Sequence, residues 1–423
     1  MIENGKIRIF PAQMDTQSMG RLQVNVVTEA GDRPIENARI RIAYNDNPET
    51  VVEEITTDIS GRSPVVELPA PPIEYSLEPV AERPYSEFTV NVEAEGFETT
   101  EINGTAILPE VTAIQPIRML PQANVTTEEV FVILPHTLYY EYPPKIAEDE
   151  IKPITSDEIV LSQVVIPEFV VVHDGPPTDA SAQNHYVRYR DYIKNVASSE
   201  IYATWPEAAI YANILAIMSF TLNRVYTEWY RNRGYNFTIT SSTAFDQKWM
   251  PGRNIYDSIN VAVDNIFNNF LSRPNVRQPI LTQYCDGRRV TCPRWLSQWG
   301  SKTLADQGRT TIEIIRHYYG SDMYINSANE VAGVPSSWPG SDLTIGSMGD
   351  SVRQMQEQLN AIGSVYTLIP ALVADGVYGS QTFNAVRIFQ EIFGLPPTGI
   401  VDFPTWYKIS EIYVAVTRIA EFM

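Results

Sequence analysis

Alternating apolar and polar residues mark the front of the chain as β-structure. Residues 22–26 and 88–92 repeat with a period of two, which is typical of strands that bury one face. Turn residues such as Gly31-Asp32 separate the alternating segments. The pattern predicts a small antiparallel β-sandwich within residues 1–122.

The order of strands and turns in this region carries a resemblance. A first strand is followed by the turn Gly31-Asp32-Arg33-Pro34-Ile35, a second strand and the turn Ser60-Gly61-Arg62. This order resembles the prealbumin-like or carboxypeptidase-regulatory-like β-domains, and the resemblance implies a scaffold rather than a catalytic role.

A proline-rich, acidic stretch over residues 123–165 follows the predicted sandwich. It contains Pro135, Pro143 and Pro144 among many acidic residues. Proline removes a backbone donor and pre-bends the chain, so we expect a linker or an extended strap here. Exposed connections of this kind are where proteases cut, which would allow the front region to be removed.

Helical spacing takes over from Tyr189. Tyr189, Ile193 and Val196 are apolar at the four- and three-residue steps of one helix face. Pro206 suits the first turn of a second, longer apolar helix. Shorter mixed segments follow, so the pattern predicts an α+β domain over residues 166–335.

The composition narrows the possible functions. Hydrophobic residues make up 44% of the 423-residue chain, which is enough for real cores. The net charge of −20 argues against nucleic-acid binding, because that affinity comes from clustered Lys and Arg. Residues 1–150 carry 26 acidic and 10 basic residues, so most of the negative charge lies in front. This charge step fits a removable front region.

Targeting segments are not evident in the pattern. No stretch approaches the ~18 consecutive apolar residues of a membrane-spanning helix. Charged residues also interrupt the start of the chain, at Glu3, Lys6 and Arg8. We therefore expect neither a membrane span nor a secretion signal.

Short helical signals separated by glycines predict a three-helix module over residues 341–423. Its motifs are Gly346-Ser347-Met348-Gly349-Asp350, Asp375-Gly376-Val377-Tyr378-Gly379 and Thr398-Gly399-Ile400-Val401. They resemble the peptidoglycan-binding domain of cell-wall hydrolases, which implies attachment to the wall polymer. Tyr378, in a glycine-flanked loop, is the candidate to contact sugar or peptide, with packing in the core as the alternative.

A second resemblance covers roughly residues 165–320. It rests on the segments Asp191-Tyr192-Ile193-Lys194-Asn195-Val196-Ala197-Ser198-Ser199-Glu200, Trp205-Pro206-Glu207-Ala208 and Ser297-Gln298-Trp299-Gly300. They look like the stage II sporulation protein D-like family, also called amidase-enhancer domains, whose sporulation member is a lytic transglycosylase. The resemblance implies that Glu200 is the catalytic acid and that Ser297 and Gln298 contact substrate. The alternative for Glu200 is a capping or ion-paired role at a helix end, and the alternative for Ser297 and Gln298 is structural hydrogen bonding.

The residues around Glu200 support an acid role independently. In a helix starting near Tyr189, Glu200 lies on the same apolar face as Ile193 and Val196. Burial raises the pKa of a carboxyl, so this side chain could hold a proton for a leaving glycosidic oxygen. Ordinary glycoside hydrolysis needs two carboxylates. As the family chemistry implies, a lytic transglycosylase needs only one.

The two cysteines, Cys285 and Cys292, leave three possibilities open. A zinc site needs about four ligands, and no histidine lies close in sequence. A disulfide that closes the short loop is geometrically possible, and two free thiols are the third possibility. We expect no cofactor, and we find no cluster of histidines that could carry an additional amidase activity.

The order of these parts resembles the spore cortex-lytic enzymes of the SleC type. The resemblance implies a zymogen made in the mother cell, stored in the cortex or coat region of the spore, and activated at germination by a subtilisin-like protease. The expected cut lies near Gln122, or anywhere up to about residue 165. Cortex peptidoglycan would be cleaved to 1,6-anhydro ends. Two alternatives remain open: a non-catalytic activator of a wall amidase, and a structural protein of a spore layer.

Overall fold

The computed structural model describes residues 18–122, 128–154, 158 and 160–418. In the front domain, alternate residues of the first strand, such as Leu22, Val24 and Val26, are fully buried. The elements of this part are β1 (Ser18–Thr28), β2 (Arg39–Tyr44), β3 (Asn47–Thr56), β4 (Val66–Ala70), α1 (Glu74–Leu77), β5 (Ser86–Glu93), β6 (Thr99–Ile107), β7 (Thr112–Met119) and β8 (Glu128–Val132).

The middle domain combines helices with short strands. Its helices are α2 (Tyr189–Glu200), α3 (Glu207–Tyr226), α4 (Asp257–Ile266), α5 (Gln298–Asp306) and α6 (Thr311–Tyr319). Its strands are β9 (Val165–Ile166), β10 (Phe169–His173), β11 (Asn184–Arg188), β12 (Ile239–Thr240), β13 (Ile255–Tyr256), β14 (Asn269–Ser272), β15 (Tyr284–Cys285), β16 (Leu296–Ser297), β17 (Tyr324–Ser327) and β18 (Glu330–Val331). The C-terminal module consists of α7 (Asp350–Gly363), α8 (Ser380–Ile392) and α9 (Phe403–Thr417). The predicted multidomain α+β architecture, with sheets in front and a helical module at the end, is confirmed.

The two sheets of the front domain have the strand orders β13-β7-β1-β4 and β3-β2-β5-β6-β8. Most neighbours are antiparallel, but β1 pairs in parallel with β7, and β6 pairs in parallel with β8. The prediction of an entirely antiparallel sandwich is therefore wrong at these two pairs. Parallel neighbours are joined by crossovers rather than hairpins, and a period of two along one strand does not encode the direction of its neighbour.

One hydrophobic core extends through all three parts of the protein. Helix α3 lies inside it, with Ile214, Met218 and Leu222 buried. Within the described ranges, α3 is also the one helix long and apolar enough to cross a membrane, but 83% of that stretch is buried inside the protein. The core helix of a globular domain passes the same test of length and composition.

Hydrogen bonds tie the front domain to the middle domain. The Asn254 side chain makes two bonds of 3.0 Å to the backbone of Ala106. The indole Nε1 of Trp205 donates to the carbonyl of Ser76 at 2.9 Å. These buried contacts pack the front domain against the middle domain rather than leaving it loosely tethered.

A buried ion network joins the middle domain to the C-terminal helices. Asp264 lies 2.8 Å from the ammonium of Lys194 and 3.2 Å from the guanidinium of Arg190. Arg190 also pairs with Glu411, which lies 2.8 Å from Lys408. Burial raises the pKa of Asp264, but the two neighbouring cations outweigh it and hold that pKa below its ordinary value. The network therefore anchors α2 to both α4 and α9.

The strap, residues 133–154, crosses the middle domain in an extended, irregular conformation. The Gln283 side chain accepts from the backbone N–H of Glu148 at 2.9 Å and donates to the carbonyl of Ile146 at 2.7 Å. Gln278 makes the same kind of paired contact further along the strap. These amide side chains satisfy the strap backbone as a neighbouring strand would, so the strap is held along its length.

Candidate active site

Glu200 lies at the C-terminal end of α2. The helix ends because the next residue, Ile201, adopts an extended backbone, and the Gln298 amide donates to the Glu200 carbonyl at 3.0 Å. Glu200 is only 2% exposed. Its Oε1 accepts a 2.6 Å hydrogen bond from the backbone N–H of Lys248. Its Oε2 is buried and has no hydrogen-bond partner in the described part of the chain.

The electrostatic surroundings favour the protonated form of this carboxyl. Burial raises the pKa of Glu200, and the ammonium of Lys145 and the N–H of Lys248 only partly oppose it. The Tyr284 hydroxyl interacts with the carboxyl, although the geometry stops short of a hydrogen bond. The raised pKa favours the protonated form of this carboxyl, and the unpartnered Oε2 is the oxygen from which its proton could be delivered.

Lys145, in the strap, lines the same cavity as this carboxyl. Its Nζ lies 4.6 Å from the ring centre of Tyr284 and 5.0 Å from that of Phe220, and it donates to the carbonyl of Asp246. Burial lowers the pKa of Lys145, while the negative charge of Glu200 opposes this effect. The charge of Lys145 therefore stabilises the ionised form of this carboxyl as long as the strap stays in place.

The strap forms part of the wall of the small cavity beside Glu200. This cavity measures about 80 Å³, and Tyr142, Pro143 and Pro144 of the strap form part of its wall. Ligand pockets are typically ~300–1,000 Å³. The cavity is therefore too small for a saccharide in this conformation, and a substrate could reach Glu200 only after the strap moves.

The first turn of the strap docks directly onto the end of α2. The N–H and the hydroxyl of Thr137 both donate to the carbonyl of Ser199 at 3.1 Å. The Nε2 of His136 lies 3.2 Å from the carbonyl of Ile201, and burial holds the pKa of this imidazole well below its ordinary value. The Ser199 carbonyl is one of the last four of the helix, which lack intrahelical partners. The strap thus caps the helix end on both sides of Glu200.

The two predicted substrate contacts near this site have structural partners. Ser297 caps α5, because its hydroxyl accepts from the N–H of Gly300 at 2.9 Å. Gln298 is buried and holds the backbone of Glu200. The structure therefore brings Gln298 to Glu200, whereas Ser297 lines a separate groove, and contact with substrate stays a prediction for both.

Tyr378 lies away from this site, in the C-terminal module. Its ring is 1% exposed, and its hydroxyl donates to the carbonyl of Gly399 at 2.8 Å. The side chain is part of the core of the module rather than of its surface, because the loop turns the ring inward between the helices. Its contact with a wall ligand stays a prediction that its burial does not favour.

A disulfide joins Cys285 and Cys292. It closes a loop that carries Asp286, whose carboxylate accepts from the backbone N–H groups of Arg288, Arg289 and Val290 at 3.0–3.2 Å. Asp286 lines the same cavity as Glu200, but its carboxylate is committed to shaping the loop. In the described ranges, no group of three or more His, Cys, Asp or Glu side chains could hold a metal ion.

An open groove lies on the other side of the disulfide loop. It measures about 630 Å³ and is lined by Ser297, Arg273, Arg294, Trp295 and Tyr318, among others. This volume falls within the range of ligand pockets, and aromatic rings beside arginines suit sugars that carry acidic substituents. The disulfide loop thus separates the small cavity at Glu200 from a groove that is already large enough for a saccharide.

Sequence reasoning missed three residues that the fold brings to Glu200. Lys145 comes from the strap, while Tyr284 and Arg289 come from the disulfide loop and its edge. The available signal was weak: a lysine in an otherwise acidic, proline-rich stretch, and two consecutive arginines between the cysteines. None of these patterns indicates a contact with a residue far away in the chain.

The C-terminal module is built on two equivalent turns. The Gln356 side chain accepts from the N–H of Gly376 at 2.9 Å and donates to the carbonyl of Val377 at 3.0 Å. Gln390 makes the matching pair of bonds to Gly399 and to the residue after it. Both glycines adopt positive φ, +76° and +66°, which explains the glycine at each turn.

Comparison with known proteins identifies this module. Residues 348–409 match the family described as "Putative peptidoglycan binding domain". The chain carries a C-terminal peptidoglycan-binding domain. A search of curated proteins found no match for the chain.

Some solved structures are similar to part of the chain. The minor pilin GBS52 of Streptococcus agalactiae is 13% identical over 26% of this chain and 48% of that chain, with a TM-score of 0.19. Catechol 1,2-dioxygenase from Acinetobacter sp. ADP1 is 15% identical over 29% of this chain and 60% of that chain, also with a TM-score of 0.19. The chain thus spans about half to three fifths of these proteins, and similarity at this level carries no argument about function.

Proposed function

We propose that the protein is a spore cortex-lytic enzyme of the SleC type, a lytic transglycosylase that cuts the glycan strands of peptidoglycan. The observation that carries this proposal is the buried carboxyl of Glu200, whose pKa is raised by burial and whose Oε2 has no partner among the described residues. The C-terminal domain, which binds peptidoglycan, would bring this acid to its polymer.

The reaction needs only one carboxyl. Protonated Glu200 donates its proton to the bridging glycosidic oxygen, and the bond from that oxygen to C1 of muramic acid breaks. The resulting carboxylate accepts the proton of the C6 hydroxyl as that oxygen bonds to C1, which gives a 1,6-anhydro end and regenerates the acid. Hydrolysis would instead use a second carboxylate and water. Asp286 lines the cavity but is held by three N–H groups of its own loop, which favours the single-acid route.

The full-length chain would be a zymogen, because the strap lines the cavity at Glu200 and leaves it too small for a saccharide. The front domain supports the start of the strap: β8 pairs with β6, and the Tyr85 hydroxyl accepts from the N–H of His136 at 3.1 Å. Removal of the front domain by a subtilisin-like protease would remove both supports. Gln122 itself is described, whereas residues 123–127, where a cut just after it would fall, lie outside the described ranges. The protein would be stored in the spore and activated at germination.

The test is mass spectrometry of the fragments released from spore cortex. We expect 1,6-anhydro-muramic ends from the trimmed protein, much slower release by the full-length protein, and none by Glu200→Gln. Reducing ends in place of anhydro ends would point to hydrolysis. Equal rates for full-length and trimmed protein would contradict the zymogen.

The alternatives predict other results in the same assay. A non-catalytic activator of a wall amidase would release stem peptides only when the amidase is added, and Glu200→Gln would not change that release. A structural protein of a spore layer would bind cortex and release no soluble muropeptides.

A further inference from the structure

Arg289 binds the first turn of the strap through hydrogen bonds to its backbone carbonyls. One guanidinium nitrogen donates to the carbonyls of Tyr140 at 2.7 Å and Thr137 at 3.3 Å. The other donates to the carbonyls of Leu138 and Tyr139, both at 2.7 Å. One side chain thus binds four consecutive amide carbonyls, which is the work of the planar fork of donors that Arg presents.

The loop that presents Arg289 is shaped without the strap. The Cys285–Cys292 disulfide closes it, and the Asp286 carboxylate accepts three of its N–H groups. The carbonyl of Asp286 accepts from the N–H of Trp299 in α5 at 3.2 Å, which attaches the loop to a helix. The backbone at Arg289 would therefore stay close to its present position after the strap leaves, and its side chain would be free to bind another carbonyl.

Arg289 lines the same cavity as Glu200. The bound turn also reaches the acid's own helix, because Thr137 donates to the carbonyl of Ser199. No ion pair between described residues involves Arg289. The N–H groups of its guanidinium donate instead to uncharged backbone carbonyls of the strap. A segment of peptide is thus seated beside the acid in a site that recognises amide carbonyls.

We propose that Arg289 forms a substrate subsite for amide carbonyls next to Glu200, and that Thr137–Tyr140 of the strap fills it as an internal substitute. This inference rests on the proposed cleavage of peptidoglycan. Two parts of that polymer carry the required group: the acetamido groups of the sugars and the peptide bonds of the stem. Both lie within reach of the bond that Glu200 would cleave, so the experiment has to separate them.

The test uses full-length protein after proteolytic activation, with Arg289→Ala and Arg289→Lys compared with wild type. Arg288→Ala is the matched control, because Arg288 is the neighbouring exposed arginine and, among the described residues, its side chain makes no hydrogen bond or ion pair with the strap. The probes are cortex glycan fragments with intact stems and the same fragments after removal of the stems. The readouts are KM and kcat, with circular dichroism as the check on folding.

We expect KM for stem-bearing fragments to rise about 10-fold or more in Arg289→Ala, because hydrogen bonds from a charged donor are lost, while kcat stays nearly unchanged. Arg289→Lys keeps the charge but loses the fork, so it should fall in between. Arg288→Ala should match wild type. A rise only for stem-bearing fragments assigns the subsite to the stem, and a rise for both probes assigns it to the acetamido groups.

Unchanged KM in folded Arg289→Ala would overturn the subsite and leave the proposed function intact. If Glu200→Gln cleaves as fast as wild type, the proposed function fails instead. In that case the subsite is still tested by calorimetry, which compares binding of the same fragments to the Glu200→Gln variant and to the double variant that also carries Arg289→Ala. Equal affinity of the two proteins would overturn the subsite.

Discussion

Glu200→Gln should abolish cleavage and, at neutral pH, stabilise the protein. The amide keeps the oxygen that accepts from the N–H of Lys248 at 2.6 Å, so that hydrogen bond survives. The variant removes the energetic cost of burying a negatively charged carboxylate. Each unit by which the pKa of Glu200 in the folded protein exceeds that in the unfolded chain destabilises the ionised state by about 1.4 kcal/mol. Loss of the attraction to Lys145 offsets part of the gain.

The pH dependence gives the sign of this effect. The pKa of Glu200 is raised in the folded state, mainly by burial, so the folded state binds its proton more tightly. The destabilisation is absent below the pKa of the unfolded chain, about 4.3, and grows until the pH passes the folded pKa. The advantage of Glu200→Gln should therefore be small at pH 4 and largest above the folded pKa. Cleavage by wild type should fall over the same upper limb, because the acid loses its proton.

Urea unfolding of both proteins between pH 4 and pH 8 measures the difference. Glu207→Gln is the matched control: Glu207 is exposed in the first turn of α3, so its removal should cost about 0.3–1 kcal/mol through the helix dipole, with the opposite sign. A Glu200→Gln variant that is less stable than wild type at pH 7, or that differs from it equally at all pH values, would refute the reasoning on the buried acid.

Further predictions concern the supports of the site. Asp264→Ala leaves the buried cations Lys194 and Arg190 without the carboxylate they share, so urea titrations should show a free energy of unfolding lower by about 3–5 kcal/mol. A loss of less than about 1 kcal/mol would contradict the stabilising role of this ion network. Tyr378→Phe should cost about 1 kcal/mol of stability and leave co-sedimentation with peptidoglycan unchanged. Weaker sedimentation of a stable Tyr378→Phe variant would instead support a ligand contact. Glu148→Gln weakens the ion pair between the strap and buried Arg224, so limited proteolysis should cut the strap several-fold faster. Glu141→Gln changes an exposed acid of the strap and should leave the cleavage rate unchanged. Equal cleavage rates for the two variants would show that the ion pair with Arg224 does not hold the strap.

The position of Glu200 could be inferred from local pattern. Its spacing from Ile193 and Val196 placed it on the apolar face of a helix, and the structure buries it at the end of α2. Its raised pKa follows from that burial. Tyr378 shows the limit of the same approach, because a glycine-flanked loop does not reveal whether its aromatic ring points to solvent or to the core.

The order of the main elements could be predicted from residue patterns: strands in front, an apolar helix pair in the middle, and helices separated by glycines at the end. These elements follow from residue periodicity and turn chemistry, which act over a few residues. It is the folded chain that brings the strap, Lys145 and Arg289 to the cavity beside Glu200 and that pairs some strands in parallel. Such contacts join residues many tens of positions apart, and their energy depends on burial and distance, which no local pattern records.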